Sequence, residues 1–577
     1  MKFFHVYNDE YFEGLVKNNF INRDTGFKIQ HVFSLPKEKK FNEFAAKGTK
    51  LHSIIKDGKH PFYIDRIAGG VTYHEYAFDR TLIDEYDELL GDWFLGFQLH
   101  ESASNRRYDW EKVLEAMNGE HGPYDEELLR KQLAGTYAIT PKGEKLPQFS
   151  QGTPELYARM RYAENVKACF AEMTDMYRWY LDKVSGHILP CDSYYLFTKQ
   201  QLELGMNTVM PEVGMQIPQM RVELALARGM AGQYKKTWGA YYECWRWDDE
   251  EKIYSMPCFN SDQGNEWYLT QETHPDDFTT FGANGGSSRL LQKRIYYYSL
   301  MSGADYFSEE WGLNCSYADM KTFELSEYGR VKKEFIDDIL KMGKLRAVIP
   351  FAIVLPREYA CVELPRPTTP NFWGKFRDKY MGARMTPSEK KLFNHAEQVL
   401  KFIYEAYNGG YGNEWHIMTN SRFGDLFDII YDDASEETLG KYSALIDASL
   451  DGRLAFSDNA KGMKILSSDD FQKLEIEIHR CAKEQLACTA DCLHWLLSYD
   501  ENGKQFVSVF NNEGNRRSVI NGDNLISEAD ASVKLTFKEA VNPTIVKASS
   551  EKVKIRKEND KTFSVDIPAA EFVILSY

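Results

Sequence analysis

The 577-residue sequence lacks any apolar segment long enough to cross a bilayer. Its longest apolar stretch, around Ala347 to Leu355, has about half of the ~20 residues that a spanning helix needs, and Pro350 interrupts it. The N-terminal segment MKFFHVYNDEYFEG reaches acidic residues too early to contain the apolar core of a signal peptide. We therefore expect no membrane partner and a cytoplasmic location, with a secreted mature form whose signal has been removed as the alternative.

The sequence also lacks a dense cysteine framework and an excess of basic residues. Its 9 cysteines are spread along the chain, which is typical of free thiols in a reducing compartment. Lys and Arg total 70 against 86 Asp and Glu, a net charge of −16 that repels phosphate backbones. This composition excludes a disulfide scaffold and argues against a nucleic-acid partner.

Several catalytic motifs are missing as well. We find no P-loop, no Gly-x-Ser-x-Gly elbow and no His-Glu-x-x-His zinc motif in the sequence. No spaced set of metal ligands is present either. We therefore expect neither a metal nor an organic cofactor.

What the sequence does contain is an alternation of short apolar runs and amphipathic helical segments from about residue 26 to 356. This alternation predicts βαβ units around a parallel sheet. The candidate strands begin near residues 27, 61, 93, 187, 207, 236, 305 and 346. Eight such strands form a (β/α)8 TIM barrel, so we predict an α/β fold with a barrel over residues 1–360. Insertions at about 103–152 and 246–286 are long enough to indicate functional loops.

The pattern changes after about residue 357. The segment DLFDIIYDDASEETLGKYSALIDAS predicts a strand, a helix and a strand, and we assign residues 361–492 to a small α/β domain. From residue 493 onwards, period-2 strands such as FVSVFNN, TFSVDI and EFVILSY alternate with turn-rich segments. Residues 493–577 are therefore predicted to form a C-terminal β-sandwich.

Acidic residues recur where the predicted strands end, which is where barrel enzymes place their catalytic groups. A single carboxylate in such a position more often caps a helix or forms a salt bridge. Several converging carboxylates raise one another's pKa, and proteins accept that cost where acid/base chemistry needs it. The acidic residues in question are Glu101, Asp192, Glu212, Glu243, Glu309 and Glu310.

Strand alternation distinguishes the adjacent pair Glu309 and Glu310. Successive strand residues face opposite sides, so Phe307 lies on the same side as Glu309, and Ser308 on the same side as Glu310. The phenylalanine suits the outer face against helices and the serine suits the lumen. Glu310 is therefore the favoured lumen residue, with Glu309 kept as the alternative because strand ends can break this rule.

Aromatic residues accumulate beside these acids, among them Trp245 and Trp311. Sugar rings stack on flat apolar faces while their hydroxyls bind carboxylates, so this combination favours a carbohydrate ligand. Simple core packing is the competing explanation. His100, which precedes Glu101, is either a substrate-binding imidazole or a satisfied core histidine.

The order of barrel, small α/β domain and β-sandwich resembles the three-domain bacterial β-galactosidases of glycoside hydrolase family 42 and their relatives in the clan of retaining barrel glycosidases. The segments LGFQLHE, MPEVG, ELALARGMAGQYKKTWGAYY and YYYSLMSGADYFSEEWG also look like parts of glycosidase-like proteins. The resemblance implies that the small domain is amidotransferase-like. It also implies a homo-oligomer, a dimer or a trimer.

In that clan the nucleophile is a Glu that ends the seventh strand, and Glu310 matches it in the predicted count. The acid/base is usually a Glu that ends the fourth strand, preceded by Asn. Here Glu212 ends the fifth predicted run and follows Pro211, and it moves to the fourth strand only if the run near residue 27 lies outside the barrel. The resemblance thus implies cleavage of a β-galactoside or related oligosaccharide, with Glu310 as nucleophile and Glu212 as acid/base.

The remaining candidates would bind substrate in this hypothesis. They are His100, Glu101, Asp192, Glu243, Trp245, Glu309 and Trp311. Two other functions stay open: a glycan phosphorylase or inverting hydrolase on the same scaffold, and a non-catalytic glycan-binding barrel. A phosphorylase would need a cationic phosphate pocket, and the predicted strand ends carry few Lys or Arg residues.

Overall fold

The structure is a computed structural model, and it describes most of the chain. Within this part, no helix combines the length and the apolar character that crossing a bilayer requires. The described residues are 1–30, 41–65, 77–100, 102, 137–139, 145–147, 166–192, 197–214, 220–243, 246–248, 253–255, 289–310, 316–319, 321–361, 386–404, 418–512 and 530–577.

Eight short parallel strands, β1 to β8, form the first unit. Most of their residues are buried, as expected for strands that are covered on both faces. The sixth strand has two segments, because Pro211 between them has no N–H to donate to the ladder. The bounds are β1 Lys2–Val6, β2 Thr25–Gln30, β3 Phe62–Asp65, β4 Phe94–His100, β5 Ile188–Cys191, β6 Thr208–Val209 and Glu212–Gly214, β7 Thr237–Glu243 and β8 Tyr306–Glu310.

These strands pair in the order β5-β4-β3-β2-β1-β8-β7-β6, so β8 returns beside β1. Backbone hydrogen bonds then join β6 to β5 and complete the ring. The amides of Asn207, Met210 and Glu212 donate to the carbonyls of Ile188, Pro190 and Asp192, respectively. The predicted parallel (β/α)8 barrel is therefore confirmed.

Two of the strand predictions need correction. The first barrel strand is Lys2–Val6, which the strand pattern missed, and the run near residue 27 is the second strand. The run near residue 346, predicted as a barrel strand, is not one. It divides into Leu345–Ala347, which pairs with His494–Asp500, and Phe351–Leu355, which lies in a separate parallel sheet.

Alternation along the strands gives the barrel one apolar cluster in the lumen and another on the outer face. The outer residues, such as Phe3 and Phe307, join the large core that includes the surrounding helices. The lumen contains its own smaller cluster, as expected for a packed barrel. Its members are Phe4, Tyr63, Leu95, Leu189, Cys191, Met210, Tyr241 and Tyr306.

A bulge in β4 changes which residues of that strand enter the lumen. Leu95 belongs to the lumen cluster, yet Phe97 and Leu99 belong to the outer core, so the alternation shifts by one residue between them. The pairing of β3 with β4 is irregular at this point, and Gly96 has a φ of 85° that side chains rarely adopt. The shift places His100 on the lumen side.

Helices surround the barrel, and several begin with a side-chain cap. Asp79 caps Arg80–Leu90 and Ser326 caps Glu327–Met342, each by accepting hydrogen bonds from first-turn amides. The helix predicted after Pro218 is Met220–Tyr234. The other helices of this unit are Phe12–Lys17, Phe41–Phe44, Lys50–Gly58, Val166–Lys183, Thr198–Glu203 and Arg289–Met301.

The second unit is a four-stranded parallel sheet with helices; its α/β character was predicted, but the membership of Phe351–Leu355 was not. Its strands are Phe427–Tyr431, Phe351–Leu355, Ala444–Asp447 and Ile465–Ser467, in that spatial order. The helices are Pro387–Tyr404, Glu436–Leu439 and Phe471–Gln485. The amidotransferase-like character of this unit stays a prediction.

Two antiparallel sheets form the third unit, as the period-2 pattern predicted. The ring of Phe537 in one sheet lies 4.9 Å from the ring of Tyr577, which follows the last strand of the other. One sheet contains Leu345–Ala347, His494–Asp500, Gln505–Phe510, Phe572–Ser576 and Thr544–Ala548; the other contains Cys488–Ala490, Ala531–Phe537, Thr562–Ile567 and Lys554–Asn559.

The barrel helix Met220–Tyr234 joins the first two units. Arg228 Nε donates to Asp428 Oδ1 at 2.6 Å, and Arg221 donates to the carbonyl of Gly424 at 2.7 Å. At Gly229 the helix approaches the second sheet so closely that an added Cβ would lie 2.2 Å from the carbonyl oxygen of Ile429. The helix is therefore buried between the barrel and the second sheet.

Candidate active site

Three side chains from different strands meet at the C-terminal end of the barrel. His100 ends β4, Glu212 opens the second segment of β6, and Glu310 ends β8. Nε2 of His100 lies 3.7 Å from Oε1 of Glu212 and 3.7 Å from Oε1 of Glu310. None of these side chains is more than 3% exposed. This end of the barrel is where barrel enzymes carry their catalytic groups.

The strand periodicity explains why these side chains converge. Met210 lies in the lumen cluster, so Glu212, two residues further, points to the same side. Tyr306, which belongs to the lumen cluster, likewise fixes the direction of Glu310 four residues later, and the predicted outer placement of Phe307 is confirmed. In β4 it is the bulge at Gly96 that brings His100 into the group.

The trio places two buried acidic groups beside one basic group. One ligand atom from each of His100, Glu212 and Glu310 lies within 4.8 Å of the other two. Two carboxylates so close together disfavour simultaneous ionisation, while a neighbouring imidazolium favours the anionic form. The arrangement therefore suits chemistry in which one carboxyl group holds a proton while the other is an anion.

A second set of polar side chains lies in the lumen. Lys28 Nζ donates to Asp65 Oδ2 at 2.8 Å and to the carbonyl of Glu309 at 2.7 Å, and Tyr241 OH donates to Asp65 Oδ2 at 3.1 Å. The Lys28 and Asp65 side chains are fully buried. The ring of Tyr241 meets the ring of His100 edge-on at 5.6 Å. These contacts connect the Lys28–Asp65 pair, through Tyr241, to the His100 side chain.

Lys28 and Asp65 were missed at the sequence level. The signal was present, because Lys28 and Asp65 are charged residues inside otherwise apolar strands, TGFKIQ and FYID. A charge in a strand buried on both faces needs a partner nearby. The partner itself follows only from the strand order, which places β2 beside β3.

Glu309, kept as an alternative to Glu310 and as a substrate-binding candidate, lies on the other side of the barrel wall. Its Oε2 is 2.6 Å from Nζ of Lys332, and it accepts hydrogen bonds from Tyr296 and Tyr328. Burial, followed by the Glu309 charge, raises the pKa of Tyr296 well above its ordinary value. This placement corrects the prediction, because an outward side chain covered by helices cannot reach a substrate in the lumen.

Asp192, another substrate-binding candidate, follows β5 but lies in a different network. It accepts hydrogen bonds from Ser102 Oγ at 2.9 Å and from Gln201 Nε2 at 2.7 Å. The Tyr177 hydroxyl contacts the same Ser102 and Gln201 side chains. In the described part of the chain, Asp192 thus joins β5 to two helical segments and is not brought into the trio.

With the corrected strand count, Glu212 and Glu310 no longer lie on the strands that carry the catalytic residues in the retaining clan. Glu310 ends the eighth strand, not the seventh, and Glu212 belongs to the sixth strand, not the fourth or fifth. The clan positions are instead taken by Glu101, directly after β4, and by Glu243, the last residue of β7, which pairs in register with Glu310. Glu101, Trp245, Trp311 and the side chain of Glu243 lie outside the described residues.

Within the described ranges, the trio is also the group that could hold a divalent cation. Metal bonds of about 2.1 Å would require ligand atoms roughly 3 to 3.5 Å apart. His100 stands 3.7 Å from each carboxylate oxygen, so the side chains would have to draw together.

Comparison with known proteins gives only structural likeness. No family model matches the chain, and no curated protein matches it. The structure is similar to that of alpha-L-fucosidase isoenzyme 2 from Paenibacillus thiaminolyticus, at 10% identity and a TM-score of 0.43, over 99% of this chain and 96% of the other.

Two further solved structures are similar at lower scores. The alpha-amylase from H.orenii matches at 9% identity with a TM-score of 0.31, covering 100% of this chain and 99% of its own. The rhamnosidase from Novosphingobium sp. PP1Y matches at 10% identity with a TM-score of 0.31, over 87% of this chain and 48% of its own. Likeness at this level does not assign a substrate or a reaction to this chain.

Proposed function

We propose that the protein is a glycoside hydrolase that cleaves a glycosidic bond by a retaining, two-carboxylate mechanism. The observation that carries the proposal is the placement of buried Glu212 and Glu310 oxygens within 4.8 Å of each other at the C-terminal end of a barrel. Retaining glycosidases hold their two carboxyl groups about 5–5.5 Å apart, whereas inverting enzymes need about 6.5–9.5 Å to admit a water.

In the first half-reaction, an oxygen of Glu310 bonds to the anomeric carbon as the bond from that carbon to the leaving oxygen breaks. Glu212 gives its proton to the leaving oxygen. The product is a glycosyl ester of Glu310, and the Glu212 carboxylate is now the anion. Holding the acid protonated near neutral pH requires burial and a nearby like charge, and the site provides both.

In the second half-reaction, a water molecule replaces Glu310 at the anomeric carbon. Glu212 takes a proton from that water, and the ester bond breaks to regenerate the Glu310 carboxylate. Two displacements at one carbon restore the original anomeric configuration. Retention of configuration is therefore the stereochemical outcome that the carboxylate spacing supports.

The substrate we propose is a β-galactoside or a related oligosaccharide. This part rests on the resemblance to three-domain β-galactosidases. Sugars that differ in one hydroxyl are discriminated by buried hydrogen-bonding groups of the pocket, so a panel of sugars is the direct way to identify the substrate.

The alternatives predict different measurements. An inverting hydrolase would give a product of opposite anomeric configuration. A phosphorylase would require inorganic phosphate for turnover, and the buried lysines Lys28 and Lys332 are already paired with Asp65 and Glu309. A glycan-binding barrel would bind without turnover, and amide replacements of its carboxylates would leave the binding unchanged.

The test is turnover of a panel of α- and β-linked nitrophenyl glycosides and oligosaccharides by wild type, E310Q and E212Q, with the product anomer followed by NMR. We expect one β-glycoside to react with retention and each variant to lose several orders of magnitude in kcat. The control is E397Q, which makes the same change at a buried glutamate in helix Pro387–Tyr404, outside the barrel. Normal turnover by E310Q would falsify the proposed role of that residue.

Two additional experiments test other assignments of the catalytic residues and the metal alternative. The variants E101Q and E243Q test the clan positions after β4 and at the end of β7, and loss of activity confined to them would transfer the catalytic roles to that pair. Prolonged treatment with EDTA tests the metal alternative, since loss of activity that zinc or magnesium restores would show dependence on a bound cation, for which the trio is the candidate group.

We also propose that the chain forms a dimer or a trimer, as related architectures do. Size-exclusion chromatography with light scattering measures the assembled mass against the 66.9 kDa of one chain. A monomer at all concentrations would exclude this proposal.

A further inference from the structure

The main chain just before Glu310 is held from both sides of the barrel wall. In the lumen, Lys28 Nζ donates a hydrogen bond at 2.7 Å to the carbonyl oxygen of Glu309, in the peptide that joins Glu309 to Glu310. On the outer side, the Glu309 carboxylate lies 2.6 Å from Nζ of Lys332. Both lysines are buried. The residue that carries the proposed nucleophile thus follows a peptide that two buried cations restrain.

The contact from Lys28 lies where the strand pairing of β8 becomes one-sided. The register of β8 with β7 continues to Glu310, whereas its register with β1 ends at Ser308. Lys28 belongs to β2, the strand beyond β1, and its side chain enters the lumen beside that of Tyr63, with which it pairs in register. Its hydrogen bond to the Glu309 carbonyl therefore supports β8 one residue beyond the end of the β1 register.

We propose that Lys28 is a positioning residue, which holds the Glu310 carboxylate in the geometry for attack by binding the preceding carbonyl. The inference rests on the proposed function, in which Glu310 is the nucleophile. It goes beyond that function because Lys28 acts on the main chain of β8 and not on the sugar.

The geometry of attack explains why such a restraint matters. A nucleophile must stand about 3–3.5 Å from the carbon that it attacks, and a displacement of about 1 Å can cost about 100-fold in rate. The peptide unit is planar, so a bond to its oxygen restrains the orientation of the whole plane, including the nitrogen of Glu310. The outer pair of Glu309 and Lys332 restrains that plane only through a side chain.

Lys28 is itself kept in place by its surroundings. Its Nζ lies 2.8 Å from Oδ2 of Asp65 and 4.7 Å from the centre of the Tyr241 ring. The Tyr241 hydroxyl donates to the same Asp65 oxygen at 3.1 Å. A carboxylate and an aromatic ring both attract an ammonium group, so together they fix the direction of Nζ towards the Glu309 carbonyl.

Two variants separate a positioning role from a purely structural one. D65N keeps the lysine that donates to the Glu309 carbonyl, but it leaves a buried ammonium without its carboxylate. K28M/D65N removes both charges of the pair, and its methionine has no N–H to donate. We therefore expect D65N to be the less stable variant and K28M/D65N to be the less active one.

The measurement is kcat and KM of wild type, D65N and K28M/D65N on a glycoside that wild type hydrolyses, with urea unfolding of each. For K28M/D65N we expect kcat to fall by about 10–100-fold at a nearly unchanged KM. D65N should keep a kcat about tenfold above that of K28M/D65N despite its lower stability.

The matched control is K199M, which makes the same lysine-to-methionine change outside the lumen. Lys199 is a buried lysine of the helix Thr198–Glu203, and its Nζ lies 2.8 Å from Asp433 of the second unit. Its loss should lower stability and leave kcat at the wild-type value. A fall in kcat of K199M equal to that of K28M/D65N would show that loss of any buried lysine lowers activity, and would overturn the inference.

Three other results would overturn it as well. Wild-type kcat in K28M/D65N would show that the bond to the carbonyl is not needed. Equal losses of kcat in D65N and K28M/D65N would assign the effect to Asp65, and a raised KM with unchanged kcat would assign Lys28 to substrate binding. Failure of the proposed function is a separate outcome, in which E310Q itself retains activity.

A second measurement needs no substrate. Crystal structures of wild type and K28M/D65N compare the position of Glu310 directly. We expect its carboxylate to move by about 1 Å, and its distance of 3.7 Å from Nε2 of His100 to change accordingly. A Glu310 carboxylate in the same place in both crystal structures would contradict the proposal.

Discussion

Glu309 and Glu310 are consecutive residues, yet their carboxylates lie on opposite sides of the barrel wall. Glu310 is 3.7 Å from His100 in the lumen, and Glu309 is 2.6 Å from Lys332 among the outer helices. The same chemical change at these two positions should therefore have different consequences.

For E309Q we expect a loss of stability. The substitution leaves the buried Lys332 ammonium without its carboxylate, and breaking a buried pair from one side costs about 3–5 kcal/mol. E310Q should unfold at a urea concentration close to that of wild type while losing turnover. Equal destabilisation by both variants would contradict the opposite placement of the two side chains.

The Lys28–Asp65 pair inside the barrel provides a second stability prediction. K28M should lower the free energy of unfolding by about 3–5 kcal/mol, because the fully buried Asp65 carboxylate loses its cation. The double variant K28M/D65N removes both charges and should recover much of that loss. Urea unfolding of the two single variants and the double variant measures the coupling, and simple additivity would show that the pair does not interact.

Two glycines in the helix Met220–Tyr234 should respond in opposite ways to alanine. At Gly229 an added Cβ would meet the backbone of Ile429 at 2.2 Å, so G229A should destabilise by about 1–3 kcal/mol or more through overpacking. At Gly232 nothing lies within 4 Å, and G232A should stabilise the helix by up to about 1 kcal/mol. Thermal unfolding of the two variants tests the close approach, and equal effects would refute it.

Acid should weaken the protein through a histidine at the junction of the three units. Burial, with Arg221 and Arg294 nearby, lowers the pKa of His494 well below its ordinary value, so the folded state keeps this ring neutral. The unfolded chain binds the proton below pH ~6.5, and stability therefore falls as the pH drops through that value, by up to about 1.4 kcal/mol per pH unit.

The matched variant is H494Q, which cannot take up this proton. Urea unfolding at pH 7.5, 6.5 and 5.5 should show a constant difference between H494Q and wild type above pH ~7.5 and a difference that moves in favour of the variant at lower pH. Parallel pH profiles would show that His494 does not contribute to acid lability.

The barrel was predictable because its buried strands alternate with amphipathic helices, but the strand inventory was not. KFFHV at the N-terminus is short and contains a histidine, so it does not stand out as β1. FAIVL is a continuous apolar run, and a central strand of any parallel sheet has this appearance. Only the pairing of Phe351–Leu355 with Phe427–Tyr431 assigns it to the second sheet.

The geometry of the candidate site was predictable to the level of strand ends and of the alternation of side chains along a strand. Alternation separated Glu310 from Glu309 correctly, because β8 is regular. It gives no information about Asp192, whose direction depends on Ser102 and Gln201 from distant segments. It would also have misplaced His100, since the phase of β4 depends on a one-residue bulge that local sequence does not specify.

The segment Leu345–Ala347 leaves the barrel region and pairs with the strand that ends at Asp500. On the ribosome, at roughly 5–20 residues per second, Leu345 emerges about 8–30 s before its partner. During that interval Leu345–Ala347 has no strand to pair with, and unpaired strand edges promote association with other chains. The connection between the barrel and the C-terminal sheets thus leaves Leu345–Ala347 without its partner strand for part of the synthesis of the chain.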